Sequence, residues 1–525
     1  MIPSTRNADT ARIVPQVFSE PTRVLRIPTS SALMLLALWG LAADKAMAAD
    51  DRALAILKAQ IARQDAQIAA QQRQLEAQQQ ALDRLAARLN NDPGSEKSVK
   101  AGKKAATSSS EAAGRGTATE PPRKSRAPIT PPDRVAGPDP RPGGQVLVSN
   151  PDFSLTVGGN LKVIAAASPV RSFVPGASFL LFPKDITGKE NQFRLSGQYG
   201  SLNATVTGPN LGSFETGIFA AVGFTGGSLT SNTYGVTPVN FFGYLRNPEW
   251  MISAGLQNDV FAPRIPAMID QISALAYSGN PGNSYRTQLK VSRNVDLGGA
   301  GKLTFTGALS EPVSLVVSDN LSKRVENNGK PNVEAHASWA FGPPDAATLL
   351  KWPALSVGVS GLAGDFRSFT DGIGAPVRVK VTEVRGVALD AAVRIGERFG
   401  IQGEIYSGAA LGNYLGTIGQ TVNSQGKALK GYGGWAEVVY YWHPAVRSHA
   451  GYGIDMMRDR SALSSCVVAP SCQIISNQTA FANVLWDVNA WWRVGLEGTW
   501  RWTRYVAPAL KNSGPGVMMS SEVRF

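Results

Sequence analysis

The chain has 525 residues, too many for one ordinary domain, and a formal net charge of +13. Charged residues make up only 17% and glycine fills 54 positions, whereas soluble chains usually carry about 25% charge. No run of 18 apolar residues is present, which excludes a membrane-spanning helix in the mature chain. Low charge, frequent glycine and a mean hydropathy of −0.10 are typical of a β-barrel whose residues alternate between lipid and lumen.

Residues 1–48 have the pattern of a secretory signal peptide. Four arginines precede an apolar run at residues 32–43, and the small-residue sequence Ala46-Met-Ala48 follows it. The run is too short to span a bilayer, so we expect cleavage before Ala49. A buried helix is the alternative interpretation.

Residues 50–90 predict a coiled coil in the periplasm. The residues three positions after each core residue form a second row, and this row is polar in its middle, which favours a coiled coil of three helices. The rod would be about 60 Å long. A single amphipathic helix lying on the following domain is the alternative. The predicted core recurs at strict seven-residue spacing and consists of Leu54, Ile61, Ile68, Leu75, Leu82 and Leu89.

Residues 91–149 predict a disordered linker rich in Pro, Ser and Lys. Almost nothing in this segment is apolar, so it cannot bury enough surface to offset the entropy lost on ordering. Its basic charge suits contact with peptidoglycan or acidic lipid, and a solvated spacer is the alternative.

Residues 150–525 predict an all-β domain, a 16-stranded antiparallel transmembrane β-barrel. Short turns are predicted after even-numbered strands and long loops after odd-numbered ones, as in bacterial outer-membrane barrels. Merging or splitting strands would give 14 or 18. The predicted strands are residues 153–165, 191–207, 213–225, 236–245, 249–258, 283–293, 302–312, 331–341, 354–366, 376–395, 400–408, 433–442, 448–458, 479–488, 493–505 and 515–525.

The last strand ends on an aromatic residue, Phe525. Counting back in steps of two gives a mostly apolar face, and the other parity is polar. An aromatic side chain at the headgroup level suits the end of a lipid-facing strand, and clusters such as Tyr440–Trp442 and Trp491–Trp492 suggest interfacial girdles. We interpret Phe525 as a barrel-assembly signal. A soluble sandwich that ends in Phe is the alternative.

The alternation also assigns side chains to the lumen. The strands that were assigned in this way place eight cations inward, against Asp390 and Glu497, and this excess predicts a preference for anions. Mutual salt bridges that merely satisfy interior charges are the alternative. The predicted pore-lining cations are Arg194, Arg286, Lys290, Arg378, Lys380, Arg394, Arg493 and Arg501.

The two cysteines and the three histidines offer little chemistry. Cys466 and Cys472 predict a local disulfide, because the chain carries an export signal; two free thiols are the alternative. No metal-ligand spacing, phosphate-binding loop or catalytic motif is evident. We therefore expect no cofactor, no metal, no nucleic-acid partner and no enzymatic activity.

The order of parts resembles the DcaP-like porin family, as do the segments 191–197, 211–219 and 250–258. The resemblance implies a trimeric outer-membrane channel with an N-terminal periplasmic coiled coil and a preference for small carboxylated solutes. It also implies that Arg194 is a pore-wall cation. Where the family usually has Glu-x-Asp-Phe in the third strand, Glu215 is here followed by Thr-Gly-Ile-Phe.

The sequence therefore predicts an outer-membrane porin for passive diffusion of small hydrophilic, preferably anionic solutes through a homotrimer. A structural tether between the outer membrane and peptidoglycan is one alternative, and a sugar-selective porin is another. A long loop folded inward, such as 166–190 or 259–282, is expected to form the constriction.

Overall fold

The computed structural model describes the second of two compact units, Arg123–Phe525, and only part of it. The predicted signal peptide, coiled coil and Cys466–Cys472 disulfide lie outside the described residues, as does the predicted linker up to residue 144. The last five residues of that linker form a strand, because they pair with the edge of the sheet. The described residues are 145–149, 153–175, 177, 179–184, 191–225, 234–282, 284–313, 325–342, 348–370, 378–423, 426–459, 463, 473–507 and 510–525.

One antiparallel sheet contains all strands of the described residues. The strands are β1 (Gln145–Ser149), β2 (Ser154–Ser168), β3 (Gln192–Ser196), β4 (Ser201–Thr207), β5 (Glu215–Gly223), β6 (Thr237–Arg246), β7 (Trp250–Asn258), β8 (Tyr285–Asp296), β9 (Lys302–Ser310), β10 (Val325–Asn327), β11 (Asn332–Phe341), β12 (Leu355–Thr370), β13 (Arg378–Ile395), β14 (Phe399–Ala409), β15 (Lys430–His443), β16 (Val446–Met457), β17 (Ile474–Asp487), β18 (Trp492–Tyr505) and β19 (Lys511–Arg524).

The sheet closes into a 16-stranded barrel, which confirms the predicted architecture. β3 and β4 both pair with β2 and together form one barrel strand, and β10 and β11 do the same beside β12. Closure is antiparallel between β19 and β2, with Val517 opposite Ala167 and Arg524 opposite Asn160. Closing the sheet removes the free edges that an open sheet would expose.

The chain end lies at the seam of the barrel. The backbone N–H of Phe525 donates to the Gly159 carbonyl at 3.0 Å, and the Gly159 N–H donates to the Phe525 carbonyl at 2.9 Å. Beyond this pair β19 has ended, and β1 covers the edge of β2 instead, from Ser149 opposite Ser154 to Gln145 opposite Val157.

Burial alternates along the strands in the opposite sense to a soluble sheet. In β18, Leu496 and Trp500 point outward and are about half exposed, whereas Glu497 and Arg501 point inward and are fully buried. Apolar residues outside and polar residues inside are the pattern of a barrel surrounded by hydrocarbon. Within the described residues, no helix is long and apolar enough to cross a bilayer.

The connections follow the predicted asymmetry with two exceptions. The link from β11 to β12 is long, although it lies at the short-turn end, and the link at 506–510 is short, although it lies at the other end. In the first of these links, Leu350 and Trp352 pack against the inward residues Val439 and Tyr441. This link is longer because it folds into the mouth of the barrel.

Candidate channel and its constriction

The loop after β7, residues 259–282, lies inside the barrel, and we call it the constriction loop. Its backbone N–H groups donate to carboxylates on the inner wall, which satisfies the donors of a segment that has no regular secondary structure. Four wall carboxylates on four strands take part: Glu334 accepts from Val260 at 2.7 Å and Phe261 at 3.0 Å, Glu404 from Arg264 at 3.3 Å, Glu437 from Ala267 at 3.0 Å and Glu497 from Ile269 at 2.8 Å.

Arg264 anchors the middle of the constriction loop through its side chain. Its Nε donates to Asp390 Oδ1 at 2.6 Å, and its Nη2 donates to Ser356 Oγ at 3.0 Å. His336 Nε2 lies 2.9 Å from the other oxygen of Asp390. Because Arg264 is buried, this pair fixes the loop against β12 and β13 only as long as both charges are present.

A second ion pair joins the constriction loop to the loop after β14. Arg286 Nε donates to Asp259 Oδ1 at 2.5 Å, and Ser284 Oγ donates to the other oxygen of that carboxylate. Arg286 Nη2 also donates to the Asn413 carbonyl at 2.8 Å, and its guanidinium carbon lies 3.7 Å from the ring centroid of Tyr414.

Residues 410–423 are buried in the lumen, and we call them the second inward loop. The Ile418 N–H donates to Asp455 Oδ2 at 2.9 Å, and the Thr417 N–H donates to the Tyr406 hydroxyl at 2.8 Å. Phe261 and Tyr414 meet edge to face at 6.1 Å. The two loops therefore pack as one body against the inner wall of β11 to β18.

Left-handed backbone is concentrated in these two loops. In the described residues, nine non-glycine residues have positive φ, and all except Lys351 lie in them: Ala262, Ala274, Leu275, Tyr277, Ala410, Leu415, Thr417 and Ile418. Such conformations cost about 1–3 kcal/mol each and persist where the surroundings impose them. The shape of the plug is thus determined by the wall contacts and by the packing of the loops.

A shorter segment after β2 covers the remaining inner wall near β18. The Leu181 N–H donates to Thr503 Oγ1 at 3.0 Å, and the Tyr505 hydroxyl donates to the Leu181 carbonyl at 2.6 Å. Arg501 donates to the Ala177 carbonyl and to Ser168 Oγ, both at 2.8 Å. Both loops that the sequence predicts as candidates for the constriction, 166–190 and 259–282, therefore have described residues that lie inside the barrel.

None of the loop contacts described above reaches the inner wall of β4 to β6. Thr205 lies opposite Phe219, shares its inward face and is half-buried, whereas Phe219, Phe242 and Tyr244 form a buried aromatic cluster on this wall. At the short-turn end of this wall, Arg246 and Glu215 form an ion pair at 2.7 Å, with 30% and 13% of their side chains exposed. The loop contacts of the described residues therefore concentrate on other parts of the inner wall, chiefly β11 to β18.

The predicted pore-lining cations differ in exposure. Arg194 and Arg394 are half-buried and Lys380 is exposed, whereas Arg286, Lys290, Arg493 and Arg501 are buried; the side chain of Arg378 lies outside the described residues. Most of the buried cations hold structure: Arg286 and Arg501 bind loops, and Arg493 pairs with Asp487 at 2.7 Å. Their role in lining a pore stays a prediction.

The inner face carries more carboxylates than the sequence predicts. Besides Asp390 and Glu497, the structure places seven more there: Glu215, Glu334, Glu404, Glu437, Asp455, Asp487 and Glu522. Applying the same alternation to β14, β15 and β16 would have found several of them. Arg264 was missed because alternation does not apply to a loop. Lys162, Arg246, Arg447 and Arg524 also face inward, so the interior is a network of both charges rather than a purely basic surface.

Asp270 is a fully buried acidic residue of the constriction loop. Burial raises the pKa of this carboxyl group, and hydrogen bonds from the Ser273 hydroxyl at 2.6 Å and the Ser273 N–H at 3.1 Å oppose the rise. The carboxylate closes a local turn of the loop, so it is a structural group rather than one exposed to a passing solute.

Known structures share this architecture. No protein-family model and no curated protein sequence matches the chain. The crystal structure of the outer membrane channel DcaP of Acinetobacter baumannii superposes with a TM-score of 0.52 at 15% identity, over 73% of this chain and 100% of that one. OmpT of Vibrio cholerae gives a TM-score of 0.45 at 10% identity, over 73% and 100%. OprB of Pseudomonas putida gives 0.44 at 10%, over 71% and 94%. The chain has the fold of an outer-membrane porin channel.

Proposed function

We propose that the protein is a bacterial outer-membrane porin through which small hydrophilic, preferably anionic and carboxylated solutes diffuse passively. One observation carries the proposal: a closed barrel presents apolar side chains outward and polar ones inward, and the inward-loop contacts concentrate on β11 to β18 rather than on β4 to β6. A lumen bonded to loops on every side would support an anchor, whereas a wall outside those contacts supports passage along β4 to β6. No covalent step is required of any residue, so the role is transport rather than catalysis.

The preference for anions is supported by the cations that keep exposed surface. Arg194 and Arg394 are half-buried, and Lys380 is exposed. Glu215, a mostly buried acid on the inner wall of β5, is paired with Arg246, so Arg194 on β3 sets the sign of the local field. Planar-bilayer recordings under a salt gradient test this: the reversal potential should indicate anion selectivity. Cation selectivity would remove the solute preference, and the absence of channels would remove the whole proposal.

We further propose a homotrimer that associates through the outer face of β2 to β6. In the described residues these strands themselves carry no outward Trp or Tyr, since Tyr244 points inward; the exposed Tyr234, just before β6, accepts from the Gly197 N–H between β3 and β4. Trp250, Trp442 and Trp492 point outward elsewhere. Interfacial aromatics mark contact with headgroups, so their absence favours a protein neighbour.

Paired alanine substitutions test the assembly. Phe193→Ala with Phe241→Ala removes two of the most exposed apolar side chains of this face and should lower the temperature at which trimers dissociate on native gels. Leu389→Ala with Ile405→Ala, on β13 and β14 at the opposite outer face, is the matched control and should leave it unchanged. Equal effects of the two pairs would contradict the assignment of the face.

The segments outside the described residues complete the proposal. We propose a cleaved signal at 1–48, a periplasmic coiled coil at 50–90, a linker at 91–149 and a Cys466–Cys472 disulfide. These parts are consistent with a trimer whose rod lies in the periplasm. Binding of the purified protein to peptidoglycan would support a tethering role in addition. Deleting residues 50–144, which leaves β1 in place, separates the roles, because channel conductance should survive if the barrel alone forms the pore.

A further inference from the structure

The outer face of the barrel between β8 and β13 contains a groove of about 660 Å³. Its floor is one row of directly paired residues that crosses five neighbouring strands: Val291, Gly307, Ala335, Gly361 and Val387. A Cβ atom added to Gly307 would meet nothing within 4 Å. The small residues in the middle of the row therefore leave a trough between larger outward side chains.

The groove is inclined relative to the short-turn end of the barrel. Val291 lies five residues before the end of β8 (296 − 291), and Val387 lies eight before the end of β13 (395 − 387). Four strand spacings make the row about 19 Å long. With strands tilted by about 45°, it covers roughly 13 Å of depth, close to the roughly 15 Å of hydrocarbon in one leaflet.

A cation lies at the end of the groove that is nearer the short turns of the barrel. Arg293 shares the outward parity of Val291, and its guanidinium carbon lies 4.9 Å from the ring centroid of Trp250. Among the described residues it has no carboxylate partner. A charge on the lipid face costs about 2–4 kcal/mol at the midplane but only about 0–1 near the interface, and guanidinium matches the geometry of phosphate.

We propose that this groove binds one glycerophospholipid of the inner leaflet, with its phosphate on Arg293 and one acyl chain along the row toward Val387. Outward Trp250 and Trp339 stand at the short-turn ends of the same region, so this face meets headgroups. The self-association face that we propose, β2 to β6, lies elsewhere on the barrel. The inference rests on the membrane location in the proposed function.

Native mass spectrometry of the full chain tests the site. Protein in detergent is incubated with dioleoyl phosphatidylglycerol, and the lipid retained per barrel is measured against concentration. Arg293→Gln removes the phosphate partner, and Gly307→Leu with Gly361→Leu fills the trough. Arg398→Gln, an exposed arginine at the same end of the barrel, is the matched control. Heat-modifiable gel mobility verifies that each variant is folded.

We expect one tightly retained phospholipid in the wild type and in Arg398→Gln, and at least tenfold weaker retention in both groove variants. Equal retention in all variants, or none in the wild type, overturns the proposal. So does dissociation of the oligomer when the trough is filled, since a second copy would then be the occupant. Conductance of the same preparations is measured separately, so a conducting barrel without bound lipid defeats this inference and leaves the porin function standing.

Discussion

The two sides of the lumen differ in what their inward side chains contact. On the wall of β11 to β18, carboxylates such as Glu437 and Glu497 are buried and bonded to loop backbone. On the wall of β3 to β6, Thr205 and the Arg246–Glu215 pair keep exposed surface. The same alternation of apolar and polar residues thus has two uses: one wall supports a plug, and in the function that we propose the other faces the passage.

The difference teaches that an inward charge is not by itself a selectivity element. Arg286 and Arg501 are inward cations, yet they are fully buried and hold loops. Arg194 is an inward cation with surface left for a solute. Substitutions on the filled wall should therefore change stability and loop order, whereas those on the open wall should change selectivity alone.

The largest effect is expected at Asp487, which pairs with three arginines at the short-turn end of the filled wall. Asp487→Ala leaves Arg447, Arg493 and Arg524 without this partner, and breaking a buried ion pair costs about 3–5 kcal/mol. Because Arg524 belongs to the closing strand, barrel assembly should fail or slow markedly, as measured by heat-modifiable gel mobility. Assembly at the wild-type rate would contradict the role of this cluster.

The next effect is expected at the ion pair between the constriction loop and Arg286 of β8. Asp259→Ala leaves Arg286 buried without its carboxylate, at a similar cost of about 3–5 kcal/mol. The plug should loosen, so that single-channel conductance rises and protease cuts within 259–282.

Glu215→Ala is the matched control for that substitution on the open wall. It breaks a partly exposed pair with Arg246, where about 1 kcal/mol or less is at stake, and should leave conductance and proteolysis nearly unchanged. Loop cleavage in this variant as well would erase the distinction between the two walls.

A smaller effect is expected from one wall carboxylate. Glu437→Ala removes the acceptor of the Ala267 N–H, and an unsatisfied buried donor costs about 1–3 kcal/mol. Current noise should increase without loss of assembly. Glu437→Gln keeps an acceptor oxygen at this position and should be quieter than Glu437→Ala, and identical noise in both variants would argue against the hydrogen bond as the cause.

The smallest effect on stability is expected at Arg194. Arg194→Gln changes an accessible charge on the open wall, so the free energy of unfolding should move by about 0.5 kcal/mol or less. The reversal potential under a salt gradient should nevertheless shift toward the nonselective value. An unchanged reversal potential would show that Arg194 does not contribute to the field in the passage.

The strands could be predicted from the sequence because alternation and turn residues are local signals. The predicted strand 191–207 was found as two segments, β3 and β4, and most strand ends agree within a few residues. The sequence predicts an inward loop but not its wall contacts, because these join residues far apart in the chain; Ile269 and Glu497 are 228 positions apart. Alternation identifies the face of Glu497 but not the loop that reaches it.

Thiol accessibility in the open channel tests the central claim most directly. In a background with Cys466→Ser and Cys472→Ser, Thr205→Cys on the open wall and Thr479→Cys under the plug are each exposed to a charged methanethiosulfonate reagent during single-channel recording. Thr479 is fully buried and bonds to Ser278. The current should fall upon modification of Thr205→Cys and should stay constant in Thr479→Cys. Block at Thr479→Cys with none at Thr205→Cys would contradict it.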